Sequence, residues 1–359
     1  MEQVDRLMHQ AISDNVFPGG VLLVSKDEAV IFFEAYGYAD IFSKRSMTVN
    51  TIFDLASLTK PLATTLAVMK LVSQNKLSLD QHIGSILPPF TNTIKEQINI
   101  KHLLYHNSGF PDYRPYYKKL RKLPENRRRD ALKKYLSEES LINPIGKQVL
   151  YSDLGFMILG GAIEYISGSC LDRFIEEEIY NPLGLEDLFF VDLAAKPRGV
   201  QFASTELCPW RKIILNGLVH DDNAYMVGGI DGHAGLFGTA DDIFRLLFVL
   251  QSIFHGISAN DLFGKEVVKK FFERDSTSGR ALGFDSPSLD KSSCGRYFSM
   301  ESVGHLGFTG TSFWMDLVRN IIVILLTNRV HPSRNNNKIK TFRPILHDTI
   351  MENVADPVQ

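Results

Sequence analysis

The sequence predicts an α+β fold: one antiparallel sheet flanked by helices, formed by both chain ends, with a mostly helical lobe inserted between them. Three observations predict it. Residues 21–25 and 30–35 near the N-terminus are rich in β-branched and aromatic side chains, and residues 312–317 and 321–327 near the C-terminus repeat that signal. Between about Leu79 and Tyr225 the signal nearly disappears, while proline, tyrosine and charge increase. Strands at both ends with helices between them call for a sheet that joins the ends. The predicted division is residues 1–78 and 226–359 as an α/β lobe, and residues 79–225 as a mostly helical lobe.

Taken in order, residues 1–15 read as a helix with Val4, Leu7, Met8 and Ile12 on one face. A hairpin comes next, turning at Lys26-Asp27-Glu28, and residues 37–46 are expected to be connecting structure. Asp54-Leu55-Ala56-Ser57-Leu58-Thr59-Lys60-Pro61 then leads into the apolar-periodic run Leu62, Leu66, Met69, Val72, a loop turning into a helix. Residues 98–106 read as a short helix stopped by Asn107-Ser108-Gly109. The nine lysines and arginines between Lys118 and Lys134 read as a solvated helix, because no aromatic interleaving or glycine loop accompanies them.

Residues 153–167 form a strong helix pattern, with Leu154, Ile158, Ala162 and Ile166 in one stripe and Gly160-Gly161 admitting a close neighbour. Asp153 stands in the N-cap position, which places Tyr151 on the loop entering the helix. A helix over 171–180 stops at Asn181-Pro182-Leu183-Gly184, residues 228–238 are glycine-dense, and Asp241 is expected to cap a helix over 243–253. The C-terminal strands flank Arg319-Asn320, and residues 341–354 close the chain as a helix. Phe110, Tyr113, Tyr116 and Tyr117 either line a cleft or pack the helical lobe.

Composition narrows the function. The chain has 359 residues, 44% of them hydrophobic, enough for a sizeable core, and its net charge of −2 gives no reason to expect nucleic acid or an anionic membrane as partner. The three cysteines are far apart and in no metal-ligand or redox spacing. The N-terminus shows no leader pattern and the longest aliphatic run, 321–326, is too short to span a bilayer, so a cytoplasmic location is expected. No oligomeric state is implied.

Chemistry concentrates at Ser57 and Lys60. Three residues apart on a helix, they share a face, so a hydroxyl nucleophile and an amine base come within hydrogen-bonding reach. Pro61 suits a first turn, and the helix dipole favours negative charge developing near Ser57.

With Ser57-Leu58-Thr59-Lys60, Tyr151-Ser152-Asp153 and His305-Leu306-Gly307 in this order, the chain resembles the serine β-lactamase and penicillin-binding protein superfamily. It is most similar to the class C β-lactamase, esterase and D-aminopeptidase branch. Residues 103–109, 181–185 and 234–242 resemble that branch as well, and the likeness covers roughly residues 15–350. The resemblance implies a β-lactamase-like fold and a two-step acyl transfer on a small-molecule ester or peptide-like substrate. Ser57 would attack, Lys60 would help to deprotonate it, and Tyr151 would relay the proton to the leaving group. The backbone N–H groups of Ser57 and Phe308 would hold the oxyanion. Gly307 would let the edge strand approach a substrate bound by β-augmentation.

Two departures from the penicillin-hydrolysing pattern shift the expected substrate. Asp153 replaces an asparagine and cannot donate an amide hydrogen bond, and His305 replaces a lysine, so a substrate carboxylate would be anchored weakly and in a pH-dependent way. An esterase or D-amino-acid peptidase is therefore expected ahead of a β-lactamase or DD-carboxypeptidase; a non-catalytic ligand-binding relative is the third reading. His220, Asp221, Asp222 and His233 invite a metal reading, but they have no compact ligand spacing and the S-x-x-K mechanism requires neither metal nor cofactor.

Overall fold

In the computed structural model, which describes residues 1–195, 199–257, 262–288 and 290–354, the apolar runs of the two chain ends pair with each other. Strands β1 (Gly19–Lys26) and β2 (Ala29–Asp40) form a hairpin whose turn residues Asp27 and Glu28 both have positive φ, 48° and 71°. That left-handed pair matches the twist of the flanking strands. Strand β3 (Arg45–Ser46) pairs with the far end of β2, so part of the expected connector over 37–46 is sheet.

The next strands are two or three residues long: β4 (Phe53–Asp54), β5 (Leu188–Phe190) and β6 (Leu236–Gly238), which make a second sheet in the order β4-β6-β5. Strands β7 (Val303–Leu306), β8 (Ser312–Asp316) and β9 (Ile321–Thr327) complete the large antiparallel sheet, ordered β3-β2-β1-β9-β8-β7.

β9 is central and every residue in it is buried. Its unbroken apolar run has a direct cause: alternate side chains enter different cores. Ile321, Val323 and Leu325 pack with Leu346 and Ile350 of helix Ile339–Val354 and with Val4 and Met8 of helix Glu2–Ser13. Ile322, Ile324 and Leu326 face the other core, shared with Leu246 and Leu250 of helix Ala240–His255. A sheet covered on both faces needs no polar alternation.

Between β4 and β6 the described stretch is mainly helical, and β5 is the short strand within it. Its basic run forms helices Tyr117–Leu120 and Glu125–Glu138, which bury only Leu120, Leu132 and Leu136. Arg129 has a structural task there: it donates to the carbonyls of Val227 (3.1 Å) and Ile230 (3.2 Å) at the glycine-dense loop. Among the described residues no single helix is long and apolar enough to cross a membrane.

Two caps differ from expectation, and in the same way. Helix Asp153–Ser167 is capped by the Ser152 hydroxyl, which accepts from Gly155 N, while helix Ala240–His255 is capped by Thr239, which accepts from Asp242 N. In each case a hydroxyl just upstream takes the cap and leaves the acid, Asp153 or Asp241, in the first turn. Asp153 is thereby free to use its carboxylate elsewhere.

Candidate active site

The Ser57 segment is held by its neighbours before it becomes helix. Asp54, at the end of β4, is buried, and its carboxylate accepts from Ala56 N (2.9 Å) and His220 N (2.6 Å). Burial raises its pKa, and these two backbone donors only partly oppose that. The grip fixes Ala56 at φ 48°, a left-handed conformation that costs a non-glycine residue on the order of 1–3 kcal/mol and sets the orientation of the Ser57 peptide. A short 3-10 turn, Ala56–Leu58, carries Ser57, and the next turn, Lys60–Thr65, is a π-helix before regular helix resumes at Leu66.

Ser57 and Lys60 come together as their spacing predicts. The Lys60 ammonium, fully buried, donates to Ser57 Oγ at 3.2 Å and to the His233 carbonyl at 3.1 Å, and it pairs with Asp153 Oδ1 at 2.7 Å. Burial pulls the Lys60 pKa down, but Asp153, followed by Tyr151, overrides it and holds the amine above its usual value. Asp153 thus binds Lys60 from the first turn of its helix; the cap assigned to it from sequence belongs to Ser152.

Tyr151 completes this group. The Lys60 nitrogen lies 5.0 Å from its ring centre, and Tyr151 lines the same cleft as Ser57. Burial raises the phenol's pKa, with Lys60 opposing. Ser57, Lys60 and Tyr151 thus sit together at one end of the cleft.

The glycine-dense loop is stitched to the Ser57 helix at three points: Leu236 N to Thr59 Oγ1 (3.1 Å), Lys60 Nζ to His233 O, and Thr64 Oγ1 to Gly232 O (2.6 Å). Gly232 also lies against helix Asp153–Ser167, where a Cβ would come within 2.1 Å of Phe156 O. Wedged between the two helices, this loop presents His233 with both ring nitrogens engaged: Nε2 with Asp221 Oδ1 (2.9 Å) and Nδ1 with Asp231 Oδ1 (3.1 Å). A ring that donates from both nitrogens is an imidazolium. Burial would lower its pKa, but Asp221 and Asp231 push it up to about 10, and a doubly protonated ring has no lone pair for a metal.

The third motif corrects three expectations. His305 is buried, with its ring against Tyr151 (centroids 5.8 Å apart) and its Nδ1 3.0 Å from the Leu306 carbonyl. Burial, only partly opposed by Asp285, lowers its pKa to about 4, so it is neutral at physiological pH and does not anchor a carboxylate. Gly307 is small for the protein's own sake: a Cβ there would lie 1.9 Å from Thr311 Oγ1 and 2.6 Å from Leu55 O. The strand ends at Leu306, and Asp285 bridges Gly304 on its outer edge, so an extended substrate edge does not continue through Gly307.

Past Leu306 the chain enters a turn tied to the Ser57 segment. Thr309 Oγ1 donates to Asp54 O (2.7 Å), and Thr311 Oγ1 donates to Leu55 O (3.1 Å). Phe308, half-exposed, stacks between the His220 ring (5.6 Å) and the Arg329 guanidinium (4.6 Å) and lines the same cleft as Ser57.

That cleft, of about 370 Å³, is also lined by Tyr113, Asp221, Asp222 and Arg334. Of the four aromatics expected at a cleft or in the helical lobe, Tyr113 lines the cleft, Phe110 and Tyr116 are core, and Tyr117 stacks on Trp210. Two cations that line the cleft have carboxylate partners, His233 with Asp221 and Asp231 and Arg334 clasping Glu206 through Nε (2.8 Å), and so do two that pair with its lining acids, Lys60 with Asp153 and Arg211 with Asp222 (2.8 Å). Arg211, Arg334 and Glu206 carry no motif, so only the fold reveals them, and only the fold gives Asp54, at the head of the Ser57 stretch, its task.

Comparison with known proteins shows what the chain is similar to. The family model described as Beta-lactamase matches residues 4–343. A Bacillus subtilis (strain 168) protein named "N-acetylmuramyl-L-alanine amidase" is 34% identical over 379 residues, covering 94% of this chain and 84% of that protein. An Escherichia coli (strain K12) protein named "Putative D-alanyl-D-alanine carboxypeptidase" is 32% identical over 377 residues, covering 95% and 86%. Among solved structures, "EstCE1, a hydrolase with promiscuous acyltransferase activity" shares the fold with TM-score 0.73 at 23% identity, covering 96% of this chain and 98% of its own.

Proposed function

Since the chain belongs to the beta-lactamase family, we propose that it is a serine hydrolase that works through an acyl-enzyme on uncharged ester or D-amino-acid-containing amide groups. The observation that carries this reading is the Lys60 nitrogen, 3.2 Å from Ser57 Oγ and 2.7 Å from Asp153 in a buried position. Ser57 attacks the carbonyl while its proton passes to Lys60, which releases one of its own to the Asp153 carboxylate 2.7 Å away; Tyr151 hands its proton to the leaving group and regains one from Lys60 as Asp153 returns the proton it took. The N–H groups of Ser57 and Phe308 receive the oxyanion, each such donor being worth about 3 kcal/mol of barrier. Water then releases the acyl group by the reverse proton path.

The name of the Escherichia coli relative favours a second reading, a DD-carboxypeptidase, whose substrate ends in a carboxylate. The charge pairing in the cleft supports the first: Lys60, His233, Arg211 and Arg334 already have carboxylate partners, and His305 is neutral.

Treatment with a fluorophosphonate and subsequent peptide mapping is expected to place the adduct on Ser57, and Ser57→Ala is expected to lose about 10⁴-fold or more in turnover. p-Nitrophenyl esters and D-alanyl anilides are expected to outpace a D-alanyl-D-alanine peptide and a chromogenic cephalosporin. Faster release from the dipeptide would move the assignment to a carboxypeptidase; absence of any adduct would leave a non-catalytic relative.

A further inference from the structure

Tyr151 can relay a proton only if its phenol stays close to Ser57 and Lys60, yet it lies on a loop, one residue outside the helix cap. Regular secondary structure does not fix it. The residues on either side are both held by one side chain and its own backbone: Leu150 N donates to the His106 carbonyl (2.8 Å), and Ser152 N donates to His106 Nδ1 (3.0 Å). The His106 ring lies against the Tyr151 ring, with centroids 4.5 Å apart and planes tilted by 32°, and against Phe156 at 5.1 Å.

Such an arrangement makes demands on residue 106 that few side chains meet. The backbone there has φ 57°, in the left-handed region that asparagine and histidine tolerate better than most residues. Nδ1 accepts a backbone N–H, so it bears a lone pair and the ring proton sits on Nε2. The ring must also remain neutral, since protonated Nδ1 would become a donor facing a donor. Burial, with Arg280, Lys60 and His305 nearby, lowers the His106 pKa well below its usual value and keeps the acceptor intact.

We propose that His106 is the positioning residue of the Tyr151 relay, a splint that accepts from the backbone N–H groups of Leu150 and Ser152, the residues on either side of the tyrosine, and backs its ring. This inference rests on the reading of Tyr151 as the donor to the leaving group. His106 acts through Tyr151 and does not itself meet the substrate.

The test uses leaving groups that differ in their need for a proton. p-Nitrophenolate departs without one; an alkoxide or an anilide nitrogen does not. Kinetics on a p-nitrophenyl ester and on an alkyl ester with the same acyl group are compared for wild type, Tyr151→Phe, His106→Ala and His106→Asn. Asparagine keeps a carbonyl acceptor near the Nδ1 position and suits the left-handed backbone.

His106→Ala is expected to track Tyr151→Phe, losing about tenfold or more in kcat on the alkyl ester but less than about threefold on the p-nitrophenyl ester, with KM little changed. His106→Asn is expected to recover most of the alkyl-ester kcat. Thermal midpoints identify unfolding, and His106→Asn carries the test if the alanine variant fails to fold. Equal losses on both esters, or no recovery with asparagine, would overturn the splint and leave His106 as packing. Should Tyr151→Phe itself show no dependence on the leaving group, the relay is wrong and the splint falls with it.

Discussion

Two histidines flank the same reactive group and are held in opposite charge states. His233, on the glycine-dense loop, is an imidazolium clamped between Asp221 and Asp231; His305, on strand β7, is neutral beneath Tyr151. Both are buried to the same degree, each 1% exposed, so burial does not decide between them. The partners do. Two carboxylates in hydrogen-bonding contact outweigh the loss of hydration at His233, whereas Asp285 acts on His305 against both burial and the nearby cations Lys60 and Arg280.

The same substitution at both positions separates the two cases most strongly. His233→Leu leaves Asp221 and Asp231 without their cation and is expected to cost about 3–5 kcal/mol, read from urea unfolding midpoints. The next largest effect is a loss of stability in alkali. His233's folded pKa, about 10, exceeds the unfolded value of about 6.5, so its contribution is complete below pH 6.5 and fades as pH rises through 10, by up to roughly 1.4 kcal/mol per pH unit.

Acid brings the opposite sign from His305. Its folded pKa of about 4 lies below the unfolded value, so stability is expected to fall as pH drops from about 6.5 towards 4, with buried His347, also at about 4, adding to the slope. Unfolding midpoints at a series of pH values, with side-chain NMR titration of the histidines, check both limbs. His305→Leu is the smallest change: it forfeits one local hydrogen bond, is expected to cost about 1 kcal/mol, and should flatten the acid limb without touching the alkaline one. Equal costs at the two positions would dissolve the comparison.

Legibility in the sequence depends on the range of the interaction. The hairpin, the helix Asp153–Ser167 and the Ser57–Lys60 contact rest on spacings of a few residues, and periodicity reveals them. The sheet across both chain ends can be read from where the strand signal lies. Cap identity fails twice because Ser152-Asp153 and Thr239-Ala240-Asp241 each offer two residues able to cap. The charge of His233 and the burial of His305 depend on groups brought in by the fold: Asp221 and Asp231 lie within reach along the chain, but only the loop's path past helix Asp153–Ser167 turns them onto the ring. Asp54 is a further case, since its bond to His220 N spans 166 residues.

The place of β9 in the sheet has a consequence for how the chain acquires its structure. β9 is central, yet it lies near the end of the sequence, and Gly19 N meets the Asn328 side chain across 309 residues. During synthesis the β1–β2 hairpin leaves the ribosome long before β9, with the β1 edge and its apolar face uncovered. Contacts of such long sequence separation close late and slowly. An open strand edge in the meantime is a template for pairing with another chain. Productive folding of this protein is therefore expected to fall with chain concentration and to gain from chaperones that shield the waiting edge.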